Sequence, residues 1–120
     1  YMYQKHTWNP PALTRKEEIR KQFVGLVMQH YTRERSISFY AEQLNITPQH
    51  LCTTIKQITG FTASDIIARM VILDAKAQLK STELTIQEIS YSLNFPNVSF
   101  FGKYFKRHVG MSPQAYRNSQ

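Results

Sequence analysis

Gln49, Thr53, Ser99 and Lys103 are the side chains of this sequence whose types and spacing best suit reading the edge of another polar molecule. Leu51 and Ile55 stand one helical turn apart and point inward, which leaves Gln49, Cys52, Thr53 and Lys56 on outer or flanking faces of the same helix. Phe101 and Phe105 repeat that inward pair, leaving Ser99 and Lys103 outside with Val98 and Gly102 beside them. These are the groups that pair with base edges. Gln can bind adenine bidentately, Lys reaches guanine acceptors, Ser can contact any base, and the Thr methyl or Val can meet a thymine methyl. Lys56, Lys106 and Arg107 sit late in the two helices and suit phosphate, contacts that position a protein without selecting sequence. Arg117 can either join them or bridge two helices. Backbone N–H groups at helix starts near Ser36 and Thr85 can add further phosphate contacts.

The elements that must carry these residues are marked by caps and stops. Thr14 and Glu17 form a capping box that opens a helix running to about Arg33, with Ile19, Phe23, Leu26 and Val27 on one face. Its Lys16, Arg20 and Lys21 read as a solvated charged face. Ser36 caps a short helix to Leu44, and Asn45-Ile46 turns the chain. Thr47-Pro48 then starts a helix to about Thr59, because Pro at the first helical position lacks only an N–H that would have no partner anyway. Gly60 ends it. Thr62 to about Lys80 is a longer helix whose stripe of Ile67, Met70, Val71, Asp74, Ala75, Gln78 and Leu79 is mostly apolar. Thr85 and Glu88 make a second capping box. Asn94 is the turn residue, Asn97 caps the next helix, Gly110 stops it and Ser112-Pro113 opens a last one. Phe95, Phe100, Phe101, Tyr104 and Phe105 are assigned to the core rather than to a base-stacking surface.

Composition narrows the partner. A formal net charge of +7 over 120 residues, with a sequence pI near 9.7, favours a polyanion. After Glu88 there is no Asp or Glu, while Lys103, Lys106, Arg107 and Arg117 follow. Cys52 is the single cysteine, so an internal disulfide and a Cys-rich zinc site are excluded, and a reducing, cytoplasmic setting is the simplest expectation. On a helix surface it reads as a small residue near the partner, or as a redox sensor without a resolving partner. His6, His30, His50 and His108 show no metal-ligand spacing, so neither a metal nor a cofactor is expected. His50 suits either an approach to the partner or a half-buried packing role. No Gly-rich phosphate loop, nucleophile elbow or membrane-spanning run is present. Residues 1–13 read as a linker or arm, with Tyr1, Tyr3 and Trp8 available to dock, and the non-Met start suggests a piece of a longer protein.

The chain also repeats itself. Ser36, Ile37, Ala41, Leu44, Asn45 and Ile46 match Thr85, Ile86, Ser90, Leu93, Asn94 and Phe95 at an offset of 49. Leu51, Ile55, Lys56, Gly60 and Thr62 match Phe101, Phe105, Lys106, Gly110 and Ser112 at an offset of 50. A small residue four before each turn Asn lets two helices cross closely, the requirement of a helix-turn-helix whose second helix enters the major groove.

The stretch from Thr85 to Arg117 resembles the DNA-binding domain of the AraC/XylS family of bacterial transcription regulators. The resemblance rests on Ile86, Glu88-Ile89, Leu93, Phe95, Ser99-Phe100-Phe101, Phe105-Lys106-Arg107, Gly110, Ser112-Pro113 and Tyr116-Arg117. The first copy resembles the family's other helix-turn-helix less tightly, and Thr62–Lys80 its linker helix. Asn45 and Asn94 stand where the family usually has Gly, a change expected to cost little stability because Asn tolerates that backbone. The resemblance implies an all-α fold of about seven helices: a first helix-turn-helix subdomain over 14–62, a linker helix over 63–81 and a second subdomain over 82–120. It implies a sequence-specific reader of double-stranded DNA using Gln49, Thr53, Ser99 and Lys103, a separate sensing or dimerising domain, and contact with RNA polymerase. Two other readings are a DNA alkyl-repair domain, which the missing metal cysteines disfavour, and a non-specific architectural module.

Overall fold

A computed structural model describes residues 14–120, so the expected arm at 1–13 lies outside the described residues. Seven helices follow one another: α1 Arg15–His30, α2 Ile37–Gln43, α3 Pro48–Thr59, α4 Ala63–Ser81, α5 Ile86–Ser92, α6 Val98–Val109 and α7 Pro113–Asn118. The fold is all-α, as the capping pattern implies.

The caps act as their chemistry dictates. Thr14 Oγ1 accepts from Glu17 N while Glu17 Oε1 accepts from Thr14 N, and Thr85 and Glu88 make the same reciprocal pair. Thr47, Asn97 and Ser112 each accept the N–H three residues on. Thr62 and Asp65 form a third capping box. Ser36 departs from expectation. It occupies the N-cap of α2, but its hydroxyl makes no capping bond; its carbonyl accepts from Phe39 N instead.

Each short helix stops in the same way. Asn45 and Asn94 sit at φ 57 and 60, in the left-handed region. In both, the next residue's N–H bonds back across six residues, Ile46 to Ala41 O and Phe95 to Ser90 O. The Asn N–H closes the inner ring onto Glu42 O or Tyr91 O. This is a Schellman stop, with Asn in place of the usual Gly. Ala41 and Ser90 are buried where the helices cross. Gly60 and Gly110, at φ 81 and 94, end α3 and α6.

α1 ends at His30, three residues before the expected Arg33. Arg33 N and Glu34 N both fall on His30 O, and the Tyr31 hydroxyl donates to Asp74 Oδ2 on α4 at 2.8 Å, so tertiary contact turns the chain early. This bond to a carboxylate, and to a lesser degree burial, raise the Tyr31 hydroxyl above its ordinary range.

α4 is the spine. Its 19 residues extend about 28 Å at 1.5 Å per residue. It packs against α1 and α3 of the first unit and against α5, α6 and α7 of the second. Ile67, Val71, Ala75 and Leu79 are buried along it, joining Ile19, Phe23, Val27, Leu51 and Ile55 to Ile89, Leu93, Phe95, Phe101 and Phe105 in one hydrophobic cluster. Asp74 and Gln78, the polar members of the stripe, are half-buried and bonded: Gln78 Nε2 donates to Asp74 Oδ1, and Ser92 Oγ to Gln78 Oε1.

Candidate nucleic-acid interface

α3 and α6 are built alike and each turns one side inward. On α3, Leu51, Thr54 and Ile55 are buried, while Gln49, His50, Cys52, Thr53, Lys56 and Gln57 are exposed. On α6, Phe101 and Phe105 are buried, while Val98, Ser99, Phe100, Lys103, Lys106, Arg107 and His108 are exposed. Gln49, Thr53 and Gln57 form one row at four-residue spacing, and Ser99, Lys103 and Arg107 form its counterpart. Every proposed base-contact residue, including Val98 and Cys52, thus lies on the solvent side of its helix.

Gln57 was missed in the sequence, although continuing the four-residue spacing from Thr53 reaches it. Its amide oxygen accepts from Lys16 Nζ at 2.8 Å, which brings an α1 cation to the flank of α3. Phe100 is a correction. It was assigned to the core with its aromatic neighbours, but it is 56% exposed. One residue before Phe101 is a rotation of about 100°, enough to carry it off the inner face. Phe95, Phe101 and Phe105 are buried, and Tyr104 is half-buried with its ring 5.1 Å from Phe95. Desolvation raises the Tyr104 phenol above its ordinary range. His50, for which a half-buried role was open, is exposed.

The candidate phosphate ligands divide. Lys106 and Arg107 are exposed in the last turn of α6, and no acid follows Glu88 in the chain to offset them. Lys56 is exposed, but its ammonium turns back to Gly60 O at 3.0 Å and caps its own helix. Arg117 is half-buried. Its Nε donates to Leu79 O at 2.9 Å and its Nη2 to Thr82 O at 3.4 Å, so it is the bridge between α7 and the end of α4, and the phosphate role loses its support. The two helix starts differ as well. At α5 the Glu88 carboxylate already holds Thr85 N at 2.8 Å, placing negative charge where a phosphate would approach. At α2 no side chain covers the start.

Among the described residues no group of three or more His, Cys, Asp or Glu is placed to hold a metal ion, and no helix is long and apolar enough to cross a membrane.

Two helix-turn-helix units on one spine, each exposing a polar second helix, define a DNA-binding domain. The model of the helix-turn-helix domain family matches residues 40–119. The chain belongs to that family: it is an AraC-type DNA-binding domain of the kind found in transcription regulators. It is 28% identical over 96 residues to the melibiose operon regulatory protein of Escherichia coli, covering 80% of this chain and 32% of that one. The chain therefore spans about a third of that relative's length. Among solved structures it is similar to the C-terminal domain of AraT, a response regulator from Geobacillus stearothermophilus, with TM-score 0.80, 28% identity and 89% of each chain covered. It also shares the fold of the DNA-binding domain of AdpA, solved in complex with a target DNA, with TM-score 0.71, 18% identity and coverage of 82% and 88%.

Proposed function

We propose that α3 and α6 enter successive major-groove segments of one duplex, about one DNA turn (roughly 34 Å) apart, and read sequence there. Gln49, Thr53 and Cys52 meet base edges in one segment, and Val98, Ser99 and Lys103 in the other. Lys106 and Arg107 hold phosphates beside the second segment, and Lys56 joins them once it leaves Gly60 O. The observation that carries this reading is the pairing of the two exposed rows on helices of equal length, each backed by a buried pair at four-residue spacing. On this reading the first helix-turn-helix subdomain covers residues 14–62, the linker helix 63–81 and the second subdomain 82–120.

The protein acts in the cytoplasm, where its DNA is. An N-terminal sensing or dimerising domain belongs with it, since the melibiose regulator is about three times as long as the matched region. RNA polymerase is the further partner. DNase footprinting on a site selected from a random DNA pool tests the reading. Gln49→Ala and Lys103→Ala should each weaken protection in a different half-site. Uniform weakening by both, whatever the sequence, would mean that they touch only phosphate and that the domain is an architectural binder.

A further inference from the structure

Arg35 lies in the loop between α1 and α2, yet its side chain is directed at the second unit. Its Nη2 donates to Asn94 O at 2.8 Å, its Nη1 to Tyr31 O at 3.3 Å, and its guanidinium carbon stands 4.1 Å from the Phe95 ring centre. Asn94 answers with its own amide: Nδ2 donates to Thr32 O at 2.8 Å. Two reciprocal bonds thus join the α1–α2 loop to the α5–α6 turn. The partners are 59 and 62 residues apart in sequence, so the closure is independent of the chain path through α4.

The chemistry is specific. A guanidinium can bridge two carbonyls while lying flat on an aromatic face; an ammonium cannot do both. Its acceptor, Asn94 O, is a turn carbonyl two residues beyond the last residue of α5. Phe95 in turn packs at 5.1 Å on Phe101, whose side chain anchors the inner face of α6. Arg35 therefore bears on the second recognition helix through one aromatic ring. A glycine would satisfy the backbone at position 94, which sits at φ 60. Only a side-chain amide also reaches Thr32. Among the described residues the first unit has no counterpart: Asn45 sits at φ 57 without such a side-chain bond, and the repeat places Leu84 opposite Arg35.

We infer that Arg35, through Asn94 and Phe95, is a positioning residue that fixes the second recognition helix relative to the first and so sets the half-site spacing the domain accepts. The inference rests on the two-helix reading above for its consequence on DNA, but not for the clamp itself.

The test separates the two. In the free protein, spin labels on Cys52 of α3 and on Tyr91→Cys of α5 report the distance between units; both sites are exposed. Arg35 and Asn94 intact should give one narrow distribution. Arg35→Ala should broaden it, Arg35→Lys should fall closer to Ala than to Arg, and Asn94→Gly should broaden it while keeping the turn. An unchanged distribution in Arg35→Lys and Asn94→Gly overturns the clamp, even if Arg35→Ala fails to fold. On DNA, inserting one base pair between half-sites should weaken the unaltered protein by about a hundredfold, the lower range of a lost bivalent gain. Arg35→Ala should bind the original site about fivefold more weakly, the lower range of coupling between sites. It should show a smaller insertion penalty and unchanged affinity for an isolated half-site. Indifference of the unaltered protein to spacing overturns the two-helix reading and leaves the clamp to the distance measurement. An insertion penalty that Arg35→Ala leaves intact overturns the positioning role.

Discussion

α2–α3 and α5–α6 share helix lengths of seven and 12 residues, the same left-handed Asn between them and the same left-handed Gly after them. Their surfaces diverge. α3 presents amides, hydroxyls and one lysine that caps its own C-terminus. α6 presents Lys103, Lys106 and Arg107 together with the exposed ring of Phe100. Beneath them, α3 rests on Leu51 and Ile55, whereas α6 rests on a cluster of Phe95, Phe101 and Phe105, with Tyr116 5.7 Å from Phe105. The difference separates two tasks that one backbone can serve. Side chains that pair with base edges discriminate, and fixed cations supply affinity that salt weakens. On the reading proposed above, the first unit is fitted mainly to the former and the second to both.

Four measurements can break or sharpen that contrast. The first removes two exposed cations of α6 together, Lys106→Ala with Arg107→Ala. The slope of log affinity against log salt should fall by about two, which is about a tenfold difference across 50 to 200 mM salt. Lys56→Ala should lower the slope by at most about one, because it removes a single cation that must first leave Gly60 O; equal slopes for the two variants would erase the distinction. Next, Gln49→Ala should cost about 1–3 kcal/mol of discrimination at a single base pair with little change in salt slope. Binding across a panel of single-base site variants measures it, and a uniform loss over the panel would refute it.

Smaller still is the contrast between the two turn residues. Asn45→Ala should cost about 1–2 kcal/mol for a side chain forced into the left-handed region. Asn94→Ala should cost about 1 kcal/mol more, for the bond to Thr32 that it also loses. Urea unfolding of both variants decides this, and equal losses would leave the Asn94 amide without a structural role. The smallest effect concerns the start of the spine. The hydrogen bonds from Thr62, foremost that of its side chain, hold the Asp65 carboxyl below the ordinary aspartate range, with His108 and Lys56 adding lesser charge effects. A folded carboxyl that titrates lower than its unfolded counterpart stabilises the protein above the ordinary aspartate range. That contribution disappears as pH falls through the folded value. An NMR titration of Asp65 should show the depression, and Thr62→Ala should largely remove it. A normal Asp65 midpoint in the unaltered protein would dismiss the cap as its cause.

Local chemistry was legible in the residues, and long-range chemistry was not. Thr-x-x-Glu, Asn at each turn and Gly after each second helix mark boundaries because each solves a backbone problem within a few residues. The exposed rows on α3 and α6 follow from the inward pairs by helix geometry alone. Ser36 was misread because the same residue type can cap with its hydroxyl or leave the task to its carbonyl. Phe100 was misread because aromatic type was allowed to outweigh its rotation from Phe101. The early end of α1 depends on Tyr31 finding Asp74, and the link from Arg35 to Asn94 crosses 59 positions. No local pattern announces either. Arg117 stood open between two roles until the carbonyls of Leu79 and Thr82 were seen beside it.

Only Gly60, Phe61 and Thr62 separate the end of α3 from the start of α4. The spine is therefore a protractor as much as a ruler. One residue added within it would swing everything downstream by about 100° and advance it about 1.5 Å. A single insertion in the spine therefore cannot lengthen the reach of this domain without also turning one unit against the other.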